Sequence, residues 1–415
     1  MTSVATVHVG AVRPPGVLTV PRISGTTVAL ALLGLLLAGS GASESRLELA
    51  GMSVHPMLLL VAVLAVVHSA VRLKKFPSDL GMSLLGFVVI FGIAVLMDPL
   101  MPLNALMKVV SITATIVVAA LLVKSERDFR IGVYGMLLGV GAIGLSGILR
   151  GEIGAETFNP MHDASGNKNS YSLYALPALL LGGYVMIQPG ISVIRRILVG
   201  VGALVIALPV FLSANRSGWL GAVFVVTGLL MQSSGRRPRT LIILATVTLL
   251  MWFLLTNIDL GVFERRLDQT IAGYESDDLR QTLLKQCFLI GLDNPLIGVG
   301  PNAISFELAR RIPGYEHPFV GPHNAITYLF GAGGAGLVVA WIATGRGLLR
   351  QGRALVGNKG GIGLMHLLIG LWLVRGLFTD EILYSPAFGL AFGLVIGLCQ
   401  VAARDAAAEA TAQAA

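Results

Sequence analysis

The segment Ser213-Ala214-Asn215-Arg216-Ser217-Gly218-Trp219 sets an arginine in a break of only a few residues between two apolar runs. A guanidinium that close to hydrocarbon costs several kcal/mol unless it is paired. Its planar fork matches the oxygens of a phosphate or a carboxylate in bidentate fashion. An internal ion pair, for instance with Asp380, is the structural alternative. Arg280 opens the amphipathic run Arg280-Gln281-Thr282-Leu283-Leu284-Lys285-Gln286, which leads into Asn294-Pro295-Leu296-Ile297-Gly298-Val299-Gly300. Asp277 and Asp278 stand just before it, so a surface salt bridge is the plain reading there. In Gly166-Asn167-Lys168-Asn169-Ser170, a helix starting near Ser170 would offer free amides beside Lys168 to an anion; a capped polar turn is the alternative. Arg150 is a weaker candidate of the same kind.

His323 follows Pro322 and precedes Asn324, at a point where a long polar stretch gives way to an apolar one. Proline restricts the residue before it and suits a helix start. A neutral imidazole at such a mouth can take up a proton near physiological pH. The other six histidines are less promising. His8 lies in the N-terminal tail, His55, His68 and His366 lie in or beside apolar runs, and His162 and His317 lie in polar loops. No His-x-x-x-His or Cys-x-x-Cys spacing suggests a metal site, and no cofactor is expected.

These residues need elements to hold them. The chain has 415 residues, 55% of them hydrophobic and only 13% charged, about half the charge usual for a soluble domain. That excludes an ordinary soluble enzyme and a disordered chain. A membrane-spanning helix needs roughly 20 apolar residues, and backbone in lipid must satisfy its own hydrogen bonds. The expectation is an all-α polytopic integral membrane protein with about twelve transmembrane helices. They fall near 26–41, 55–71, 80–97, 105–123, 131–149, 170–187, 197–213, 217–231, 240–256, 324–343, 361–378 and 383–401. Residues 1–25 and 402–415 read as cytoplasmic tails around a transmembrane domain at 26–401. Arg13 and Arg22 ahead of Val28–Ala38 resemble a signal peptide, but the preceding stretch is long and contains proline. Cys287 and Cys399, one in a polar and one in an apolar segment, are not expected to pair.

Orientation follows from the placement of Lys and Arg. With the N-terminus inside, eighteen of the 30 cations and five of the 22 acids face the cytoplasm, giving +13 inside and −5 outside. The basic balance therefore reports sidedness rather than nucleic-acid binding. The stretch 257–322, rich in proline, becomes one long outer loop, and loops of that length are usually functional. Short amphipathic helices are expected in it, one capped by Asn302 and ending at Arg310 and Arg311. Among the outward cations, Arg46 reads as a solvated pair with Glu44 or Glu48, and Lys108 as a snorkelling side chain. Gly331-Ala332-Gly333-Gly334-Ala335-Gly336 suits close helix packing, with flexibility as the alternative.

Arg216-Ser217-Gly218-Trp219 opening a span, Arg280 ahead of Asn294–Gly300, then Pro322-His323-Asn324, in that order and on that side, resemble the O-antigen ligase and polymerase superfamily. The likeness covers about residues 160–345; the first five spans match only in character. It implies a GT-C-like glycosyltransferase of the bacterial inner membrane with its active site on the periplasmic side. Such an enzyme takes a glycan from undecaprenyl diphosphate and, in a ligase, delivers it to a sugar hydroxyl of lipid A-core. It would invert the anomeric centre and need neither metal nor nucleotide sugar. Arg216 and Arg280 correspond to the family's two arginines and His323 to its loop histidine; Asp380 resembles an acid of some members. Arg265 is a further candidate without a motif behind it. A leaving diphosphate needs fixed positive charge, and an attacking hydroxyl needs a base. His323 could serve as that base or as a phosphate ligand. The alternatives are a polymerase extending glycan on its polyprenyl carrier, a protein glycosyltransferase, or a lipid-linked substrate transporter. The charge-poor span centres and the lack of an internal repeat speak against the last.

Overall fold

The structure is a computed structural model and describes residues 25–40, 47–49, 52–54, 76–100, 103–150, 168–213, 215–233, 275–312, 322–356 and 363–414. Among these, twelve α-helices carry the fold: α1 (Gly25–Ser40), α2 (Ser78–Met97), α3 (Leu103–Leu122), α4 (Glu126–Arg150), α5 (Lys168–Ile187) and α6 (Val193–Leu212). There follow α7 (Arg216–Ser233), α8 (Glu275–Asp293), α9 (Ala303–Arg311), α10 (Ala325–Val356), α11 (Leu364–Gly376) and α12 (Pro386–Ala414). A 3₁₀ turn, Glu381–Tyr384, joins the last two. Seven helices, α2 to α6, α10 and α12, are long and apolar enough to cross a membrane. This is a multi-pass membrane protein.

Ten of the twelve expected spans coincide with described helices; 55–71 and 240–256 lie outside the described residues. An unforeseen antiparallel hairpin pairs β1 (Leu47–Leu49) with β2 (Met52–Val54). The last helix does not stop at the expected 401 but runs to Ala414, exposed beyond Ala402. In the long loop α8 has 19 residues and is not the short helix expected, whereas α9 does end at Arg310 and Arg311.

The most buried spans are α5 and α12, and close approach explains how they become so. Gly389, Gly393 and Gly397 recur every four residues along α12, and a side chain on any of them would press on α3 at Ile112, Ile116 and Ala120. That is the small-residue seam by which helices associate in lipid. Gly34, Gly135 and Gly139 do the same between α1 and α4.

The expected cap of α9 is corrected. Asn302 occupies the N-cap position, but its side chain makes no capping bond. The carboxylate of Asp98, 1% exposed, instead accepts the amides of Asn302 at 2.7 Å and Ala303 at 3.1 Å. An acid at the end of α2 thus satisfies the amides that start α9. The glycine-rich stretch is both a packing surface and a break. Gly334 sits inside α10 at φ 62°. Around that break the loop 294–300 supplies main-chain partners: Val299 N donates to Gly331 O, Gly300 N to Ala332 O, and Ala335 N to Pro295 O, at 2.7–2.9 Å.

Candidate functional site

His323, Arg280 and Arg216 lie at or near the ends of their helices, on the side that the charge count assigns to the outside, and Arg280 and Glu381 come within electrostatic reach of His323. His323 stands between the long loop and α10. It is the only non-glycine residue with positive φ among those described, at 51°. Its neighbours hold that conformation, which is costly for a side chain with a Cβ. Pro322 is buried before it. After it, Asn324 caps α10: its Oδ1 accepts the amides of Ile326 and Thr327 at 3.0 Å, and its Nδ2 donates to Leu377 O at 3.2 Å. Asn324 was expected as a binding residue; its amide is engaged in fixing the histidine's frame. The helix therefore starts at Ala325, a few residues after Pro322.

Arg280, exposed near the start of α8, lies within electrostatic reach of His323. Burial and the Arg280 charge hold the imidazole below the usual histidine range, while Glu381 opposes them. The neutral imidazole is thus favoured at neutral pH. Glu381 is in turn bonded by Ser170 Oγ of α5 at 2.9 Å. Its neighbour Asp380 has its carboxyl pushed up to about 6, by burial first and by Glu381 as well.

Arg216 is the first residue of α7, and its two neighbours are tied into a buried polar cluster. Ser217 Oγ donates to Asn215 Oδ1 at 2.8 Å, and the Gly218 amide reaches the same oxygen at 3.3 Å. Asn215 Nδ2 donates to Ser172 Oγ at 3.3 Å. At the centre is Arg375 of α11, 0% exposed, donating to Ser172 Oγ at 2.8 Å and to Ser217 Oγ. Glu381 lies within electrostatic reach of it. Three helix ends, of α5, α7 and α11, are thereby locked together beside Arg216.

A second strut reaches the turn from the long loop. Tyr328 donates to Pro301 O at 3.2 Å, and Tyr384 OH lies 2.7 Å from Tyr328 OH, so Tyr384 is the donor in that pair. Lys108 sits 5.7 Å over the Tyr384 ring. The side chain read as merely snorkelling thus lies beside the turn that carries Asp380 and Glu381.

Lys168 and Asn169 begin α5, two residues ahead of the expected start, and Arg150 ends α4; the placement of these three side chains lies outside what is described. Arg265 also lies outside the described residues. Arg375 counts among the outward cations, but sequence reasoning gave it no role and passed over Glu381. The available signal was an arginine closing a short apolar helix, followed within six residues by two adjacent acids. No group of three or more metal-ligating side chains occurs among the described residues.

Residues 201–342 match the O-antigen ligase family model. The resemblance seen in the motifs holds over that stretch, about a third of the chain. It contains Arg216, Arg280, the 294–300 loop and His323, whereas Arg375, Asp380 and Glu381 lie beyond it. No curated protein matches the chain.

Proposed function

We propose that the chain is an O-antigen ligase that moves a polysaccharide from undecaprenyl diphosphate to a sugar hydroxyl of lipid A-core. The observation that carries this reading is the backbone-strained His323, buried within reach of the Arg280 charge and inside the family-matched segment. Arg216 and Arg280 meet the charge that develops on the departing diphosphate, the role a metal ion would otherwise fill. The acceptor hydroxyl attacks the anomeric carbon, the carbon–oxygen bond to the diphosphate breaks with inversion, and His323 takes the hydroxyl proton. A histidine held below its usual range suits a base better than a phosphate ligand, which would gain from a positive imidazolium.

A small apolar groove among α2, α3, α10, α11 and α12 supports a lipid-linked donor. Trp341, Trp372 and Phe388 line it, and Ile382, Leu383 and Ser385 continue its lining into the turn beside Glu381. In this reading the outer end is periplasmic, the membrane is the bacterial inner membrane, and the fold is a GT-C-like arrangement of about twelve spans.

The test is a purified system with undecaprenyl-diphosphate glycan, lipid A-core and EDTA. Glycan appearing on lipid A-core, and lost in His323→Ala, is the expected result. Longer glycans retained on the polyprenyl carrier would make the protein a polymerase and overturn the acceptor assignment. No transfer to either acceptor would overturn the reaction class.

A further inference from the structure

Helix α8 divides into three sectors. Leu283, Cys287 and Ile290 are buried, and Cys287 donates through Sγ to Thr327 O of α10. Leu284, Phe288 and Leu292 recur every four residues on the adjoining arc and are 39%, 46% and 51% exposed. Asp278, Lys285 and Asp293 occupy the remaining arc, also exposed. The apolar sector is thus about twice as wide as the part that the protein covers, the pattern of a helix lying at a lipid–water boundary.

The level of this helix can be read from its neighbours. Helices α2 and α10 run side by side, with Arg350 paired to Asp79 and Thr344 bonded to Ser83 O at their inner ends. The 20 residues of α2 rise about 30 Å, the thickness of the hydrocarbon core. Asp98, just past the last residue of α2, therefore marks its outer edge. The loop that follows α8 sits there: Asn302 bonds to Asp98, Gly300 packs on it, and Leu296 backbone abuts Gly334. Exposed apolar side chains fill this level, Leu96, Met97 and Leu100 at the end of α2 and Leu296 and Ile297 in the loop. The lipid-facing surface of a span thereby passes into the loop and on to the end of α8.

We propose that α8 lies in the outer lipid–water interface, with Leu284, Phe288 and Leu292 among the acyl carbons nearest the headgroups and Lys285 snorkelling to the headgroups. The docking stands without the proposed reaction; its meaning for Arg280 rests on that reading. One turn ahead of Leu284, Arg280 is then held at the level of lipid phosphates, where the diphosphate of a lipid-linked donor also sits.

Nitroxide labels on Leu284→Cys, Phe288→Cys and Leu292→Cys, with Thr282→Cys on the polar arc as reference, test this in lipid nanodiscs. Native Cys287 and Cys399 are buried, and labelled parent protein gives their background. Power saturation should find the three stripe labels more accessible to oxygen than to a water-soluble nickel chelate, and the Thr282 label the reverse. Chelate-accessible stripe labels would place the stripe in water and overturn the proposal. Labels shielded from both relaxants would mean that protein, such as a second copy, covers the stripe, and would overturn it equally. Three separate positions keep the test decisive if one variant fails to fold. Because no turnover is measured, transfer activity with water-facing labels would sink the docking alone, and lipid-facing labels without transfer would sink the reaction alone.

Discussion

Both ends of the helical bundle carry exposed ion pairs, Arg311 with Asp293 at the outer end among them, but among the described residues only the outer end buries an arginine. At the inner end Arg130 pairs with Glu126 one turn away at 2.7 Å, and Arg350 reaches Asp79 at 3.4 Å, all with side chains open to water. Asp128, a buried acid in the first turn of α4, is occupied by Ser125 and by Thr27 of α1. At the outer end, a wholly buried arginine is bonded to serine hydroxyls and a histidine is held in a strained backbone. Exposed pairs contribute little to stability, so the inner charges serve orientation. Buried or strained charges persist only where their surroundings hold them, and the outer end is where chemistry would use them.

The sharpest way to break this contrast is to remove charge from each end in turn. Arg216→Ala and Arg280→Ala should each cost on the order of a hundredfold in glycan transfer, while Arg350→Ala leaves the rate nearly unchanged. A fall below about threefold for Arg216→Ala, against that expected loss, would remove it from the site. Next in size is Arg375→Met, which leaves Ser172 and Ser217 without their charged partner and should destabilise the protein by about 2 kcal/mol. Thermal unfolding in detergent measures it. Arg375→Lys should not restore the loss, because one ammonium cannot reproduce the fork that spans both hydroxyls.

Gly334→Ala should cost about 1–3 kcal/mol, since its φ of 62° disfavours a side chain and a Cβ there would collide with Leu296 backbone. A smaller change is expected in the pH profile. Transfer that needs neutral His323 is complete above its depressed pKa and declines as pH falls through it. In Arg280→Gln the imidazole loses a repelling cation, its pKa rises, and the acid limb should move to higher pH. A limb that stays put would assign it to Asp380, whose carboxyl burial pushes up to about 6. The smallest effect sharpens the contrast from the other side: Arg130→Ala should cost only a few tenths of a kcal/mol.

The spans were legible because charged breaks bound each apolar run, and ten of them fall on described helices. His323 and Arg280 could be found from outward placement, and the structure brings them within electrostatic reach. Less was legible where partners are far apart in the chain. Asp98 caps a helix 204 residues later, and Ser172 meets Arg375 across 203. No local pattern signals such pairs. The motif Asn294–Gly300 was recognisable, but its work as a main-chain partner of a broken helix depends on where Gly334 interrupts α10, and a glycine-rich stretch fits a packing surface equally well.

That clasp also bears on biogenesis. A helix broken at Gly334 presents Gly331 O, Ala332 O and Ala335 N without the partners that an unbroken helix would give them, and the loop provides all three. Exposed to lipid alone, each such group costs several kcal/mol. The chain is synthesised from its N-terminus, so α8 and the 294–300 loop exist before α10 is made. The order of synthesis matches the order of need: the incoming helix finds partners for these three groups already waiting when it leaves the insertion machinery.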